Sequence, residues 1–194
     1  MTPLACVDEA EYAELARDYG PCVRRAYDIP TSSTYFDEWV YKLAKNRRAE
    51  VAMVILNPAG RVLTHTKSFY PAGAFRIPTG GIGHEERVLG ALRREVWEET
   101  GLEAEVQRLL AVIEYRFTDG AREVRFATYL FVLRADGHAP CVQDANERIT
   151  EFQQVDVAAL HRIAVQLEGL SGGWNEWGRF RAVAHRVAAE TLGA

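Results

Sequence analysis

The segment that decides the fold runs over residues 80–102 and reads Gly80-Gly-Ile-Gly-His-Glu-Glu-Arg-Val-Leu-Gly-Ala-Leu-Arg-Arg-Glu-Val-Trp-Glu-Glu-Thr-Gly-Leu102. Glu95, Glu98 and Glu99 stand at positions i, i+3 and i+4, so a helix places their carboxylates on one face. Like charges at this spacing repel, and a bound cation would relieve the repulsion. Carboxylate oxygens are ligands that hard divalent ions prefer, Mg²⁺ first and Mn²⁺ second.

The same segment carries the signals of a helix from about residue 85 to residue 100 that docks on a sheet. Its apolar residues repeat at helical spacing, which predicts one face for packing. Gly101 suits the left-handed position that ends a helix, and Leu102 suits the apolar contact that follows it. Arg94 stands beside Glu95 and can hold a carboxylate through two hydrogen bonds. An acidic cluster at helical spacing is usually only a solvated surface, but here several signals coincide in one register.

The glycines before the helix predict a tight loop. Gly80, Gly81 and Gly83 allow the backbone to turn sharply and to approach a ligand closely. The main-chain carbonyls of such a loop are further oxygen ligands for the same cation.

The segment resembles the Nudix box, which reads Gly, five residues, Glu, seven residues, Arg-Glu, an aliphatic residue, one residue, Glu-Glu, one residue, Gly and an aliphatic residue. All nine fixed positions match, namely Gly80, Glu86, Arg94, Glu95, Val96, Glu98, Glu99, Gly101 and Leu102. A weaker resemblance extends from about Val51 to Leu160. It implies an α+β fold in which helices sandwich a mixed β-sheet (α/β/α).

The resemblance implies a hydrolase of a nucleoside diphosphate linked to another moiety. Water attacks a phosphorus atom, and a nucleoside monophosphate and the phosphorylated moiety are released. The alternative is a Nudix-fold protein that senses a nucleotide without cleaving it, or a pure interaction protein. The intact Arg94-Glu95 and Glu98-Glu99 pairs, and the lack of a basic module, favour the enzyme.

The resemblance also implies roles for individual residues in the box and in a later loop. Glu98 and Glu99 are the first expected metal ligands, and Glu95 is either a further ligand or the base that activates water. Arg94 would orient Glu95, and the main-chain carbonyl of Thr79 would join the metal. A general base from the late loop is the other alternative, supplied by Glu147 or Glu151.

Substrate-binding residues are expected around the glycine loop. Gly80 and Gly81 would let the loop approach the substrate, while Glu86 would brace the loop or bind metal through water. Arg76 is a candidate for contacting phosphate. Further cations within reach are interpreted as solvated surface charges, namely Lys67, Arg116 and Arg125.

The rest of the chain predicts additions at both ends of one domain. Residues 1–47 are helical in pattern, with a helix capped by Asp8, a loop at 28–33 and a helix capped by Ser33 or Thr34. Residues 48–194 form the Nudix domain, with a last helix at about 175–192 that places His185 on its surface. We expect the N-terminal extension to cover the core, to rim the substrate cleft or to exchange contacts in a homodimer.

The composition excludes several function classes. The chain has 194 residues with 48% hydrophobic and 26% charged residues, which is typical of a globular domain. A net charge of −4 provides no basic field for nucleic acid or an anionic membrane surface. The three cysteines, which are far apart, predict no disulfide framework or zinc site. No signal peptide or membrane span is apparent, and the cytoplasm is the default location.

Overall fold

A seven-stranded mixed sheet forms the centre of the computed structural model, which describes residues 6–193. The strand order is β1-β5-β6-β2-β3-β7, and β4 pairs with the first half of β2. The β1–β5 and β2–β6 pairs are parallel, and the other pairs are antiparallel. The strands are β1 Val23–Pro30, β2 Ala49–Leu56, β3 Val62–Lys67, β4 Thr79–Ile82, β5 Ala104–Thr118, β6 Glu123–Ala135 and β7 Ile149–Val155.

Helices cover both faces of this sheet and complete three layers. Helices α1 and α3 lie over one hydrophobic cluster, whereas α2, α4 and α5 lie over the other. Their bounds are α1 Glu9–Tyr19, α2 Ser33–Asn46, α3 Val88–Thr100, α4 Ala159–Glu168 and α5 Asn175–Leu192. The expected α+β architecture with a mixed sheet between helices is confirmed. Within residues 6–193, no helix is both long enough and apolar enough to cross a lipid bilayer.

Strand β2 lies at the centre of the sheet because nearly all its side chains are apolar and buried. Its exception is Glu50, which is buried as well. Arg181 Nη1 on α5 donates to both Glu50 oxygens at 2.9 Å, and Thr128 Oγ1 donates to Oε1 at 2.9 Å. The buried charge is therefore paired and hydrogen-bonded, as its burial requires.

The prediction that residues 1–47 are helical outside their loops is wrong for the stretch between the two helices. Residues 23–30 form β1, which pairs with β5 along its whole length, and the loop expected at 28–33 begins later. Most β1 side chains are exposed, so this edge strand lacks the apolar alternation that predicts a strand. Ser32, rather than Ser33 or Thr34, caps α2. Residues 1–5 and 194, which belong to the predicted extension and domain, lie outside the described residues.

The N-terminal segment contributes to the core on both faces. Trp39 on α2 is 2% exposed, and its ring lies 4.5 Å from Phe117, 4.6 Å from Phe126 and 5.0 Å from Phe180. Leu15 on α1 belongs to the hydrophobic cluster on the opposite face. The described part of the segment therefore packs on the core, while the division of the chain at residue 47 stays a prediction.

The first turn of α3 is capped by a side chain from α1. Arg87 at the N-cap position supplies no side-chain hydrogen bond. Glu11 does so instead, because its Oε1 accepts from Val88 N at 2.8 Å. Arg48 Nη2 donates to Glu11 Oε2 at 2.7 Å and to the carbonyl of Glu86 at 2.8 Å. The N-terminal helix thus holds the start of α3 through a buried carboxylate.

Replacing Glu11 with alanine should destabilise the fold. The substitution leaves Val88 N and Arg48 without this carboxylate, so we expect the free energy of unfolding to fall by about 1–3 kcal/mol. Glu14→Ala is the matched control, because Glu14 lies one turn further along α1 and its ion pair is with the exposed Arg87. Urea denaturation measures both variants, and equal losses in the two would contradict the capping role.

His185 is buried rather than on the surface of α5, which corrects the expectation for it. Its Nδ1 donates to the carbonyl of Arg181 at 2.8 Å, and Ile77 N donates to its Nε2 at 3.0 Å. The imidazole thereby ties α5 to the segment that leads into β4. Burial lowers the pKa of His185 to about 4, because a charged imidazole would lose its hydration there.

Lowering the pH from 7 to 5 should remove part of the stability that neutral His185 provides. Since its folded-state pKa of about 4 lies below the ordinary 6.5, the unfolded chain takes up the proton first. The contribution is complete above the ordinary pKa and declines toward the folded-state value, by at most about 3 kcal/mol. Urea titrations at several pH values should show a shallower pH dependence for His185→Gln than for the wild type. Indistinguishable slopes would contradict this assignment.

Candidate active site

Strand β4 and helix α3 form the site, and two glycines on β4 permit their close approach. A β-carbon built on Gly80 would overlap the carboxyl end of Glu95 on α3. A β-carbon on Gly81 would lie 2.7 Å from the guanidinium nitrogens of Arg47. Successive strand residues face opposite ways, so the two glycines admit a carboxylate on one face and a guanidinium on the other. Close approach to side chains therefore explains both glycines.

The Arg94 side chain joins the glycine loop to the acidic face of α3. Its Nη1 donates to Glu95 Oε1 at 2.8 Å and to Glu98 Oε2 at 2.9 Å. Its Nε and Nη2 donate to the two oxygens of Glu86 at 2.9 Å, and Nη2 also donates to the carbonyl of Gly81 at 2.9 Å. Arg94 therefore holds Glu95 in place, and Glu86 braces the loop, since it also accepts from Gly83 N at 3.1 Å.

The carboxylate of Glu99 is completely buried beside one cation. Lys67 Nζ on β3 lies 2.9 Å from Glu99 Oε1 and also pairs with Glu147. Neither oxygen of Glu99 accepts a hydrogen bond of good geometry within residues 6–193. Burial raises the pKa of Glu99 to about 7, against the opposing effect of Arg76 and Lys67. Lys67 is thus a buried partner of the box, and its interpretation as a surface charge is wrong.

Glu95 is held in a less polar setting than a surface carboxylate. Burial raises its pKa, the Arg94 hydrogen bond lowers it, and the charges of Glu147 and Glu98 raise it further. The structure therefore brings Glu147 to the box carboxylates, through Lys67 and through its effect on Glu95. Glu151 is exposed on β7, where Gln153 is its hydrogen-bond partner at 3.4 Å. Of the two late-loop acids, Glu147 is the one that reaches the site.

Arg76 lies inside the protein rather than in the cleft. It is 3% exposed, and its Nε donates to Tyr70 Oη at 2.8 Å. Its Nη1 donates at 2.9 Å to the carbonyl of Ile77 and to Thr79 Oγ1. Arg76 therefore braces the approach to β4, and contact between Arg76 and phosphate stays a prediction.

The donors on α3 suit a hard divalent cation. Three carboxylates lie on one helix face, and one of them, Glu99, accepts no hydrogen bond of good geometry from any residue that the structure describes. In the described part of the chain, no three acidic, imidazole or thiol side chains are yet gathered closely enough to hold a metal ion. Arg94 holds Glu95 and Glu98, whereas Lys67 lies at Glu99. Carboxylate oxygens of this kind fit a metal ion. In this structure Arg94 and Lys67 compensate the charges of these carboxylates.

Spacing in the sequence could not reveal Lys67 and Arg47 as residues of the site. The cleft beside β4 has a volume of about 440 Å³, and Asn46 and Arg47 line it together with Gly81, Arg94 and Glu95. Asn46 is the last residue of α2 and Arg47 follows it, so both lie far from the box in sequence. Their one sequence signal is the basic pair Arg47-Arg48 directly before β2, which is too common a feature to identify a site.

Gly80→Ala should impair the hydrolysis that the sequence resemblance implies, while leaving the fold intact. The added methyl group would push Glu95 from its position at Arg94, and a displacement of about 1 Å at a reacting centre can cost about 100-fold in rate. Gly90→Ala is the control, because its β-carbon would meet only Glu86 Cγ at 3.9 Å. Rates and melting temperatures of both variants check this expectation, which a fully active Gly80→Ala protein would contradict.

Curated proteins resemble part of this chain. Over 84 residues the chain is 36% identical to the RNA pyrophosphohydrolase of Psychrobacter cryohalolentis, covering 42% of this chain and 47% of that protein. Over 72 residues it is 39% identical to diphosphoinositol polyphosphate phosphohydrolase 3-alpha of Mus musculus, covering 37% of this chain and 40% of that protein. The chain thus spans less than half the length of these curated relatives.

A solved structure and a family model were also matched. The dihydroneopterin triphosphate pyrophosphohydrolase of E. coli superposes with a TM-score of 0.49 at 18% identity, covering 77% of this chain and 98% of that one. The NUDIX domain model matches residues 46–170, beginning close to the predicted boundary at residue 47. Because this match covers more than half of the sequence, the chain belongs to the NUDIX domain family.

Proposed function

We propose that this chain is a metal-dependent pyrophosphohydrolase. It cleaves a nucleoside diphosphate linked to another moiety, by attack of water on phosphorus, into a nucleoside monophosphate and the phosphorylated moiety. The observation that carries this proposal is the Glu99 carboxylate, which lies fully buried on the acidic face of a complete box helix. Within residues 6–193 neither of its oxygens accepts a hydrogen bond of good geometry, and Lys67 Nζ, 2.9 Å from Oε1, is its ion-pair partner. A purely structural helix gains nothing from such a group, because burying a charge without full satisfaction is costly.

The metal ligands in this proposal are Glu98, Glu99, Glu95 and the main-chain carbonyl of Thr79. Oxygen donors of this kind favour Mg²⁺, with Mn²⁺ as the second choice. A bound divalent ion would neutralise the diphosphate and stabilise the charge that develops on the transferring phosphoryl group. Gly80 and Gly81 let Glu95 and Arg47 lie close against β4, beside the cleft that the substrate would enter.

Two residues remain as candidates for the general base. Glu95 is oriented by Arg94, and its raised pKa suits a group that must take a proton. Glu147 comes from the late loop and shares Lys67 with Glu99. We assign the late-loop alternative to Glu147 rather than to Glu151, because only Glu147 pairs with a residue of the box network.

The names of the relatives bear on the reaction more than on the substrate. They are a pyrophosphohydrolase of RNA and a phosphohydrolase of diphosphoinositol polyphosphate, which both name substrates carrying linked phosphates. This supports cleavage of a phosphoric anhydride and leaves the linked moiety open. The net charge of −4 favours a small nucleotide over a nucleic acid. A role as a nucleotide sensor remains the second candidate function.

Hydrolysis assays with box variants test the proposal. We expect the wild type with Mg²⁺ or Mn²⁺ to hydrolyse at least one member of a panel of nucleoside diphosphate derivatives, a 5′-triphosphorylated RNA and a diphosphoinositol polyphosphate. Glu99→Gln and Glu95→Gln should each lose about 100-fold or more in rate, because the charge that holds metal or takes the proton is removed. Glu147→Gln should lose rate only if Glu147 is the base or a ligand.

Glu151→Gln is the matched control and should keep the wild-type rate. Thermal unfolding of each variant separates a chemical loss from a folding defect. Full activity of Glu99→Gln and Glu95→Gln would overturn the site assignment. A wild-type protein that cleaves nothing in the panel, yet binds nucleotide in calorimetry, would instead support the sensor.

A further inference from the structure

Among residues 6–193, one guanidinium that lines the cleft beside β4 has no acidic partner. Arg47 follows the last turn of α2, and its side chain lies against the backbone of Gly81. Glu95 and Arg94 line the same cleft of about 440 Å³. The Arg47 guanidinium therefore lies beside the box carboxylates, although it comes from a segment more than thirty residues before the box.

The other arginines around the cleft are engaged. Arg94 holds Glu86, Glu95 and Glu98, and Arg181 holds Glu50. Arg48 is paired with Glu11. Arg47 is half-buried, yet it makes no hydrogen bond or ion pair with any residue from 6 to 193.

The acidic groups that face Arg47 are already compensated. Glu50 accepts from Arg181 and Thr128, and Glu95 accepts from Arg94. Two further guanidinium groups, Arg181 and Arg76, add repulsion. Burial is the largest of the effects that lower the pKa of Arg47, so its charge is held at a cost that an incoming anion would offset.

Gly81 gives the guanidinium direct access to the loop. Its φ is not in the left-handed region, so the backbone does not require glycine there. A β-carbon there would come within 2.7–2.9 Å of Arg47 Nε, Nη2 and Cζ, so the guanidinium would have to move away from β4. The sequence therefore keeps room for a guanidinium at the edge of β4, and that guanidinium has open cleft in front of it.

We propose that Arg47 binds a phosphate group of the substrate in this cleft. Its forked N–H groups match two phosphate oxygens, which a lysine at the same place could contact only as a point charge. The phosphate would lie between Arg47 and the carboxylate face of α3. That the anion is a substrate phosphate rests on the proposed function. That an anion binds at this place rests on the Arg47 guanidinium, which has no partner within residues 6–193.

Titration calorimetry of the full chain with inorganic pyrophosphate in Mg²⁺ tests the proposal. We expect Arg47→Ala to weaken pyrophosphate binding about tenfold or more, since hydrogen bonds to a charged group are lost. Arg47→Lys should lose less, because the charge stays while the fork is removed. Lys45→Ala is the matched control and should bind as the wild type does, because it removes a charge from the same helix end outside this cleft.

Steady-state kinetics provides the second readout. For any substrate that the wild type cleaves, Arg47→Ala should raise KM by a factor similar to the loss in pyrophosphate affinity, with a smaller change in kcat. Unchanged pyrophosphate affinity and unchanged KM in Arg47→Ala would overturn the proposal, as would an equal loss in Lys45→Ala. The wild type could cleave no substrate while its binding of pyrophosphate still depends on Arg47. In that case the phosphate site stands and the hydrolase function fails.

Discussion

Arg94 donates to Glu86, Glu95, Glu98 and the carbonyl of Gly81, and the arrangement of the site depends on this one guanidinium. Without it, the carboxylates on α3 would repel each other and turn toward solvent. With it, the glycine loop and the acidic face of the helix are bound to the same group. The loop therefore cannot move away from α3 without breaking charge-assisted hydrogen bonds.

The carboxylates of α3 are compensated by basic side chains at the surface and in the interior. Arg94 compensates the carboxylates at the mouth of the site, and Lys67 compensates Glu99 at its buried end. Lys67 lies on β3, so the sheet as well as the helix controls the acidic cluster. A divalent ion would compete with these two basic side chains for the same oxygens. Such an exchange of cations would make metal binding sensitive to the position of Lys67.

The sequence predicts those parts of the site that depend on local spacing. The fixed positions of residues 80–102 place three carboxylates, an arginine and the helix end in register, and the structure has α3 and its left-handed Gly101 there. Strand β1, the Glu11 cap and buried His185 depend on pairing between distant segments, which periodicity within a window does not encode. Arg47 and Lys67 escaped prediction for the same reason, because isolated basic residues are usually solvated.

The N-terminal segment supports the geometry of the box. Helix α3 has no cap of its own, and Glu11 supplies one. The glycine loop is held from α2, because His84 N donates to Asn46 Oδ1 at 3.1 Å and His84 Nε2 donates to the carbonyl of Leu43 at 2.9 Å. Both ends of the loop thus rest on residues outside the motif. Since a small displacement of catalytic groups is costly, a box with every fixed residue intact still depends on this segment for its geometry.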